Sequence, residues 1–292
     1  MSHQPSPKFP RAISIDDRIP TPSANAAPNA AVRGPAPVAR AFRPEGLDPT
    51  QHTTQRQPPP DPSRPIRIAI IDSGVNLAHP HIGNIAGGAT IASTTTDPSY
   101  IDRLGHGTAI AALIHHRAPQ AQLFALKVFH DALATNLPTL LSAVHWCLDH
   151  DIDLINLSLG TTNHNHRASF EAAIARLRAK GTMLVSAAEM QNQPALPGTL
   201  PGVIAVLADS TKEAGEFGIQ SLHGKNVFTA SPYPREIPNV PRERNLQGIS
   251  FAVANITATI ANLWHPTPAT QPESLLLQAS STEFAITATT KT

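Results

Sequence analysis

The chain is short of several things, and each shortage closes off a class of function. It has a single cysteine, Cys147, so no internal disulfide can form. Cys147 sits in Leu140-Leu141-Ser142-Ala143-Val144-His145-Trp146-Cys147-Leu148, a helical pattern, and reads as a buried structural thiol. Aromatic residues make up 4%, which leaves Ala, Ile, Leu and Val to build the core. The formal net charge is +1, which offers no electrostatic case for nucleic acid or for a membrane surface. No apolar run approaches the ~18 residues that a bilayer span needs. The first residues, Met1-Ser2-His3-Gln4-Pro5, lack the basic and apolar regions of a secretory leader. A cytoplasmic location is expected, with export by a signal-less route left open.

Metal chemistry is also thinly supported. His79-Pro80-His81, His115-His116 and His164-Asn165-His166 are close pairs, but helical metal ligands prefer an i, i+4 spacing. No carboxylate or cysteine set accompanies them. Asp97 and Asp102 are the only carboxylates between Asp72 and His106, too few for a calcium cage. No metal and no cofactor is expected.

Proline is abundant but unevenly placed. Residues 1–65 hold 15 of the 29 prolines, together with many Ala, Ser, Thr and Asn. Such a composition offers too little apolar surface to offset the entropy of ordering, so this N-terminal segment is expected to be extended or disordered. It reads as a linker or a tail that docks a partner, with Ile13, Ile15 and Phe42 as its apolar contact points. From residue 66 the pattern changes. Ile66–Ile71, Leu123–Val128, Asp153–Leu157 and Met183–Ala187 are short apolar runs. Helical stretches separate them: Thr108 to His116, Pro138 to His150, and Arg167 to Lys180 with Gly181 as the stop. Apolar strands alternating with helices predict an α/β fold in three layers, a mostly parallel sheet covered by helices on both faces. This domain is placed at residues 66–265. Residues 266–292, rich in Thr and Ala, are expected to be a loose tail. A proline-rich run from Pro232 to Pro241 is read as a stiffened loop near the site.

Three motifs carry the chemistry. They are Asp72-Ser73-Gly74, Gly105-His106-Gly107-Thr108 and Gly248-Ile249-Ser250-Phe251-Ala252. An acid, a base and a nucleophile in the order Asp, His, Ser is one of the few arrangements of a serine hydrolase. A serine hydroxyl attacks poorly until an imidazole removes its proton. The imidazole in turn needs a carboxylate to hold its tautomer. Asp72 follows an apolar run, so it is expected at the carboxyl end of a buried strand. Ser250 precedes a helical stretch, whose positive end favours a developing oxyanion. Gly248 is read as allowing a tight turn there.

With these motifs, and with Ile155-Asn156-Leu157-Ser158-Leu159-Gly160, Leu196-Pro197-Gly198 and Val203-Ile204-Ala205-Val206, residues 66–264 resemble the subtilisin-like serine proteases, the subtilases. The resemblance implies that Asp72 orients, His106 is the general base and Ser250 the nucleophile. It also implies that Leu157, Ser158, Leu159 and Gly160 line the substrate strand, with Ala188 and Glu189 beside the primary pocket. His79-Pro80 fits the family as well. Two positions around the nucleophile depart from its pattern, Ile249 for Thr and Ala254 for Pro. A third departure matters more. The family's oxyanion Asn falls on Met190, which cannot donate, and loss of one such donor costs roughly 2.7–4 kcal/mol. Gln191 or Asn192 are the replacements in reach, with Asn192 favoured, or else the Ser250 amide works with another donor. Glu189, in place of a glycine, suggests a preference for Lys or Arg. The compact inhibitory prosegment of many subtilases is a poor match to residues 1–65.

The reading is a serine endopeptidase acting on a peptide or protein substrate, with limited processing of a dedicated precursor as its task. A catalytically impaired peptide-binding relative, and a peptide ligase or esterase on the same scaffold, stay open.

Overall fold

The computed structural model describes residues 13–15, 64–92, 96–97, 99–222, 224–237, 239–264, 274 and 276–277. Its strands are β1 (Ser14–Ile15), β2 (Arg67–Asp72), β3 (Ile85–Ile91), β4 (Thr96–Asp97), β5 (Gln122–Lys127), β6 (Ala134–Thr135), β7 (Leu154–Leu157), β8 (Met183–Ala187), β9 (Glu189–Met190), β10 (Gln193–Pro194), β11 (Ile204–Ala208), β12 (Phe217–Leu222) and β13 (Lys225–Ala230). The helices are α1 (His106–Arg117), α2 (Leu137–Asp149), α3 (Arg167–Lys180) and α4 (Ile249–Leu263).

Nine strands form one sheet in the order β12-β13-β11-β8-β7-β2-β5-β3-β4. Every pairing from β13 to β3 is parallel, and only the two edge strands, β12 and β4, run antiparallel. A parallel sheet must be covered on both faces, and alternate residues of β2 show how. Ile68 and Ile70 pack with Ile110 and Leu113 of α1 and with Phe251 and Ile256 of α4. Ala69 and Ile71 point the other way, into a cluster with Leu140 and Val144 of α2 and Phe170 and Ile174 of α3. The molecule is therefore the three-layer α/β fold that the alternating pattern predicts.

Local chemistry sets the helix ends. Asn136 accepts the Thr139 amide at the start of α2, with Pro138 in the first turn. Gly181 closes α3 in the left-handed conformation, as predicted. Helix α4 is buried along its length from Ser250 to Ala261, because it packs both on the sheet and on α1. The start of β2 is anchored by Arg64, whose guanidinium reaches both oxygens of Asp153 at 2.6 Å.

In the proline-rich segment Ile13 and Ile15, two of the expected apolar contact points, are buried in the α2–α3 cluster, and Ser14–Ile15 forms the extended strand β1. Two isoleucines in a short extended stretch supply the apolar area that the surrounding prolines lack. Phe42 lies outside the described residues. Near the other end, Leu276 is fully buried in the α1–α4 cluster, although it falls within the stretch expected to be a loose tail. It belongs to Leu275-Leu276-Leu277, an apolar run inside the Thr- and Ala-rich region.

Candidate active site

Asp72 is the last residue of β2, so the sheet delivers its carboxylate to the carboxyl edge, where open α/β sheets gather their ligands. It is fully buried. Its side chain accepts the Ser73 amide at 2.7 Å and meets His106 Nδ1 with both oxygens, at 2.8 and 2.9 Å. An ionised carboxylate only accepts, so Nδ1 carries the proton, and in the neutral ring Nε2 then keeps the lone pair. His106 opens α1 and is 1% exposed. The two residues behind it explain the glycine between them: a Cβ on Gly107 would lie 2.3 Å from the Gly74 carbonyl oxygen and 3.2 Å from Asp72.

Ser250 is in the first turn of α4, and the ring of the next residue, Phe251, lies 6.0 Å from the His106 ring. The base and the nucleophile thus start two helices that pack on one another. Ser250 Oγ is 3.5 Å from the Ser158 carbonyl oxygen. Behind it runs a buried polar chain. Thr257 Oγ1 donates to Asn156 Oδ1 at 2.9 Å, and Asn156 Nδ2 donates to Ser158 Oγ at 3.0 Å. This chain ties the end of β7 to α4 and fixes the nucleophile against the central strands. Gly248 is not the tight turn that was expected. Its φ is 167°, an extended conformation open to any residue, and a Cβ there would touch nothing.

A groove runs past Ser158, and β1 lies in it. Ile15 donates its amide to the Gly160 carbonyl at 3.1 Å, while Ser14 and Ile15 pair in parallel with Ala134 and Thr135 of β6. An extended chain thus adds as a strand between β6 and Gly160, the mode expected for a substrate. A cavity of about 380 Å³ opens beside it, lined by Ile13, Ser158, Ala187, Glu189, Leu207 and Asp209, among others.

The residues expected in this region divide by what they face. Ser158 lines the cavity and Gly160 presents its carbonyl to the groove. Leu157 and Leu159 are buried in the α2–α3 cluster, because alternate residues of the strand turn to the core. Ala188 likewise packs with Ala205 and Val227, and its neighbour Ala187 lines the cavity instead. Glu189 is half-buried and lines the cavity. Met190 is 8% exposed, and its sulfur sits 3.1 Å from where a Gly160 Cβ would be. Strands β9 and β10 form a hairpin whose two-residue turn, Gln191-Asn192, has φ of 52° and 60°. Two left-handed residues in succession suit the twist of a tight hairpin. The turn leaves both amides exposed at the cavity rim, with Asn192 beside Ile249 and Ser158 in the lining.

Sequence reasoning missed several participants. Asp209 joins Glu189 in the cavity wall, and the hydroxyl and amide of Thr211 hold its carboxyl below the usual range. Ser73 Oγ accepts the Gly107 amide at 2.9 Å and so links the acid's turn to the base's helix. Asp102, weighed only as a calcium ligand, accepts four hydrogen bonds around the start of α1. The one signal in the sequence was its place four residues before His106.

The chain is similar to known proteins. The chain is 29% identical over 208 residues to a thermostable alkaline protease of Halalkalibacterium halodurans, covering 67% of this chain and 55% of that protein. It is 27% identical to subtilisin E of Bacillus subtilis over 210 residues, 66% of this chain and 51% of that one. The chain spans about half the length of these curated relatives. Two solved structures share the fold: an S41 psychrophilic protease, with a TM-score of 0.55 and 22% identity over 73% of this chain and 81% of that one, and a lanthipeptide protease, with a TM-score of 0.52 and 18% identity over 67% and 72%. The model of the subtilase family matches residues 63–290, a stretch that holds Asp72, His106 and Ser250 in the expected order, and the chain belongs to that family.

Proposed function

We propose that the chain is a serine endopeptidase. The observation that carries this reading is the fully buried Asp72 carboxylate with both oxygens on His106 Nδ1. That contact leaves Nε2 as the lone-pair nitrogen, which is the form a general base requires. Ser250 Oγ attacks the substrate carbonyl and gives its proton to Nε2. The resulting imidazolium is stabilised by Asp72 and then protonates the leaving amine. Water, activated by the same nitrogen, releases the acyl group from Ser250.

The Ser250 amide at the start of α4 is one donor to the oxyanion. Asn192 supplies the second in this reading, in place of the apolar Met190. The substrate lies extended between β6 and Gly160, in the groove where Ser14–Ile15 already pairs. Glu189 and Asp209 give the neighbouring cavity two carboxylates, which supports a preference for a Lys or Arg side chain there. A groove that already holds part of its own chain suits limited processing of a dedicated peptide better than broad degradation.

Intact mass after incubation with a fluorophosphonate tests the reading. One adduct is expected on the native chain and none on Ser250→Ala. A folded native chain that takes no adduct overturns it. The reading that Met190 favours would then replace it: a relative that binds a peptide in the groove without cutting it.

A further inference from the structure

Asp102 binds both sides of His106 along the chain. One carboxylate oxygen accepts the amides of Leu104 at 2.8 Å and Gly105 at 2.9 Å. The other accepts the Thr108 amide at 3.0 Å and the Thr108 hydroxyl at 2.6 Å. The residue is 9% exposed, so these charge-assisted bonds form largely out of water. Helix α1 needs them. Its N-cap is Gly105, at φ 82°, which has no side chain to satisfy the first amides. Those amides find partners elsewhere: Gly107 on Ser73 Oγ and Thr108 on Asp102. A carboxylate at this end also meets the positive end of the helix dipole.

The loop that carries Asp102 is itself fastened at three successive residues. Val75 donates its amide to the Tyr100 carbonyl at 2.9 Å. Lys127 Nζ donates to the Ile101 carbonyl at 2.7 Å. Asp102 donates its own amide to the Val75 carbonyl at 3.3 Å. Val75 follows the Asp72-Ser73-Gly74 turn, and Lys127 is the register partner of Asp72 on β5. The Thr108 hydroxyl closes the circuit by accepting the Asn76 amide at 3.0 Å. The ground that carries the acid therefore holds the loop, and the loop holds the helix that carries the base.

We infer that Asp102 is a positioning residue for the base: it locks the start of α1 so that His106 Nδ1 stays on Asp72. It touches no reacting atom. Its effect is to remove the freedom of α1 to shift or rotate at its first turn, where a misplacement of about 1 Å costs on the order of a hundredfold in rate. The inference rests on His106 acting as the base, and the test separates the two.

The full chain, labelled with ¹⁵N-histidine, is compared with Asp102→Asn, Thr108→Val and Thr108→Ser, each checked for fold by circular dichroism. Two quantities are read: the hydrogen-bonded Nδ1–H resonance of His106, and the rate of Ser250 phosphonylation by a fluorophosphonate. Asparagine keeps the size of Asp102 but can accept with only one atom. Asp102→Asn is expected to broaden or abolish the Nδ1–H resonance through faster exchange with water. It is also expected to slow phosphonylation by about 10- to 100-fold while leaving KM for a peptide substrate unchanged. Thr108→Val should show a smaller loss of the same kind, and Thr108→Ser, which keeps the hydroxyl, should stay near the native values. A folded Asp102→Asn with a native resonance and a native phosphonylation rate overturns the inference. If Asp102→Asn does not fold, native behaviour of Thr108→Val overturns it. A native chain that shows the resonance but takes no adduct sinks the protease reading instead, and the resonance in the variants still decides the role of Asp102.

Discussion

Gly107 has no side chain because nothing larger fits between His106 and the turn after Asp72. A methyl group there would sit 2.3 Å from the Gly74 carbonyl oxygen, so either α1 or the turn must move. Overpacking of this sort costs about 1–3 kcal/mol. Gly107→Ala is expected to lower the unfolding free energy by that much and to slow fluorophosphonate labelling by a larger factor, since it separates the acid from the base. Equal losses in both would argue that the helix start tolerates displacement. At the oxyanion side the proposed second donor is Asn192. Its φ of 60° penalises most side chains, so glycine is the clean replacement. Asn192→Gly is expected to lower kcat by about a hundredfold at unchanged KM. An unchanged kcat would leave the Ser250 amide to act with another donor. Beside it, Glu189→Gln should weaken a Lys or Arg preference in a peptide panel by roughly fivefold, the worth of about 1 kcal/mol for a half-exposed pair. A panel that keeps its ranking removes Glu189 from the specificity.

Among the elements, β1 has the largest bearing on use of the site. In the proposed binding mode it occupies the place of a substrate strand, with a main-chain bond to Gly160 and a two-residue ladder to β6, while Ile13 and Ile15 are buried below. A peptide that binds by strand addition competes with it. Ile15→Pro deletes the amide that the Gly160 carbonyl receives, a loss of about 1 kcal/mol for one hydrogen bond. The expected result is a KM for peptide substrates lowered by roughly fivefold at constant kcat. A KM that stays put, or rises, would mean that β1 and the substrate do not share the groove. The opposing case is α4, an element with no freedom at all. Twelve successive residues from Ser250 to Ala261 are buried, so the nucleophile stands on the most enclosed helix of the domain. Precision at Ser250 follows from that packing, because a site on a buried helix cannot drift as one on a loop can.

At the level of the whole molecule, the two hydrophobic layers can be probed through Cys147, which is fully buried in the α2–α3 cluster. Burial pushes its thiol pKa far up, so the reactive thiolate is scarce as well as hidden. A thiol reagent in native buffer is expected to leave the chain unmodified, and the same reagent in denaturant to add one group. Rapid native labelling would show that the α2–α3 layer opens without global unfolding. Much of this architecture is readable without coordinates. Strands β2, β5, β7 and β8 are apolar runs because a parallel sheet is buried on both faces, and Gly181 and Pro138 mark helix ends for local reasons. Strand β3 was missed, since Ile85-Ala86-Gly87-Gly88 has neither the alternation nor the bulk of a strand and is held by its pairing with β5. Strand β12 was missed too, because it is an antiparallel edge with one half-exposed face. The hairpin after Ala188 had no turn glycine to announce it. By itself the sequence determined the chemical types, their order and the periodicities, all properties of short stretches. Tertiary structure alone decided which alternate residue of β7 meets the cavity, that Ile13 and Ile15 would settle in the groove, and that Asp102 would brace the base. Each of these joins residues far apart in the chain, and such contacts depend on how layers pack, which no local pattern encodes.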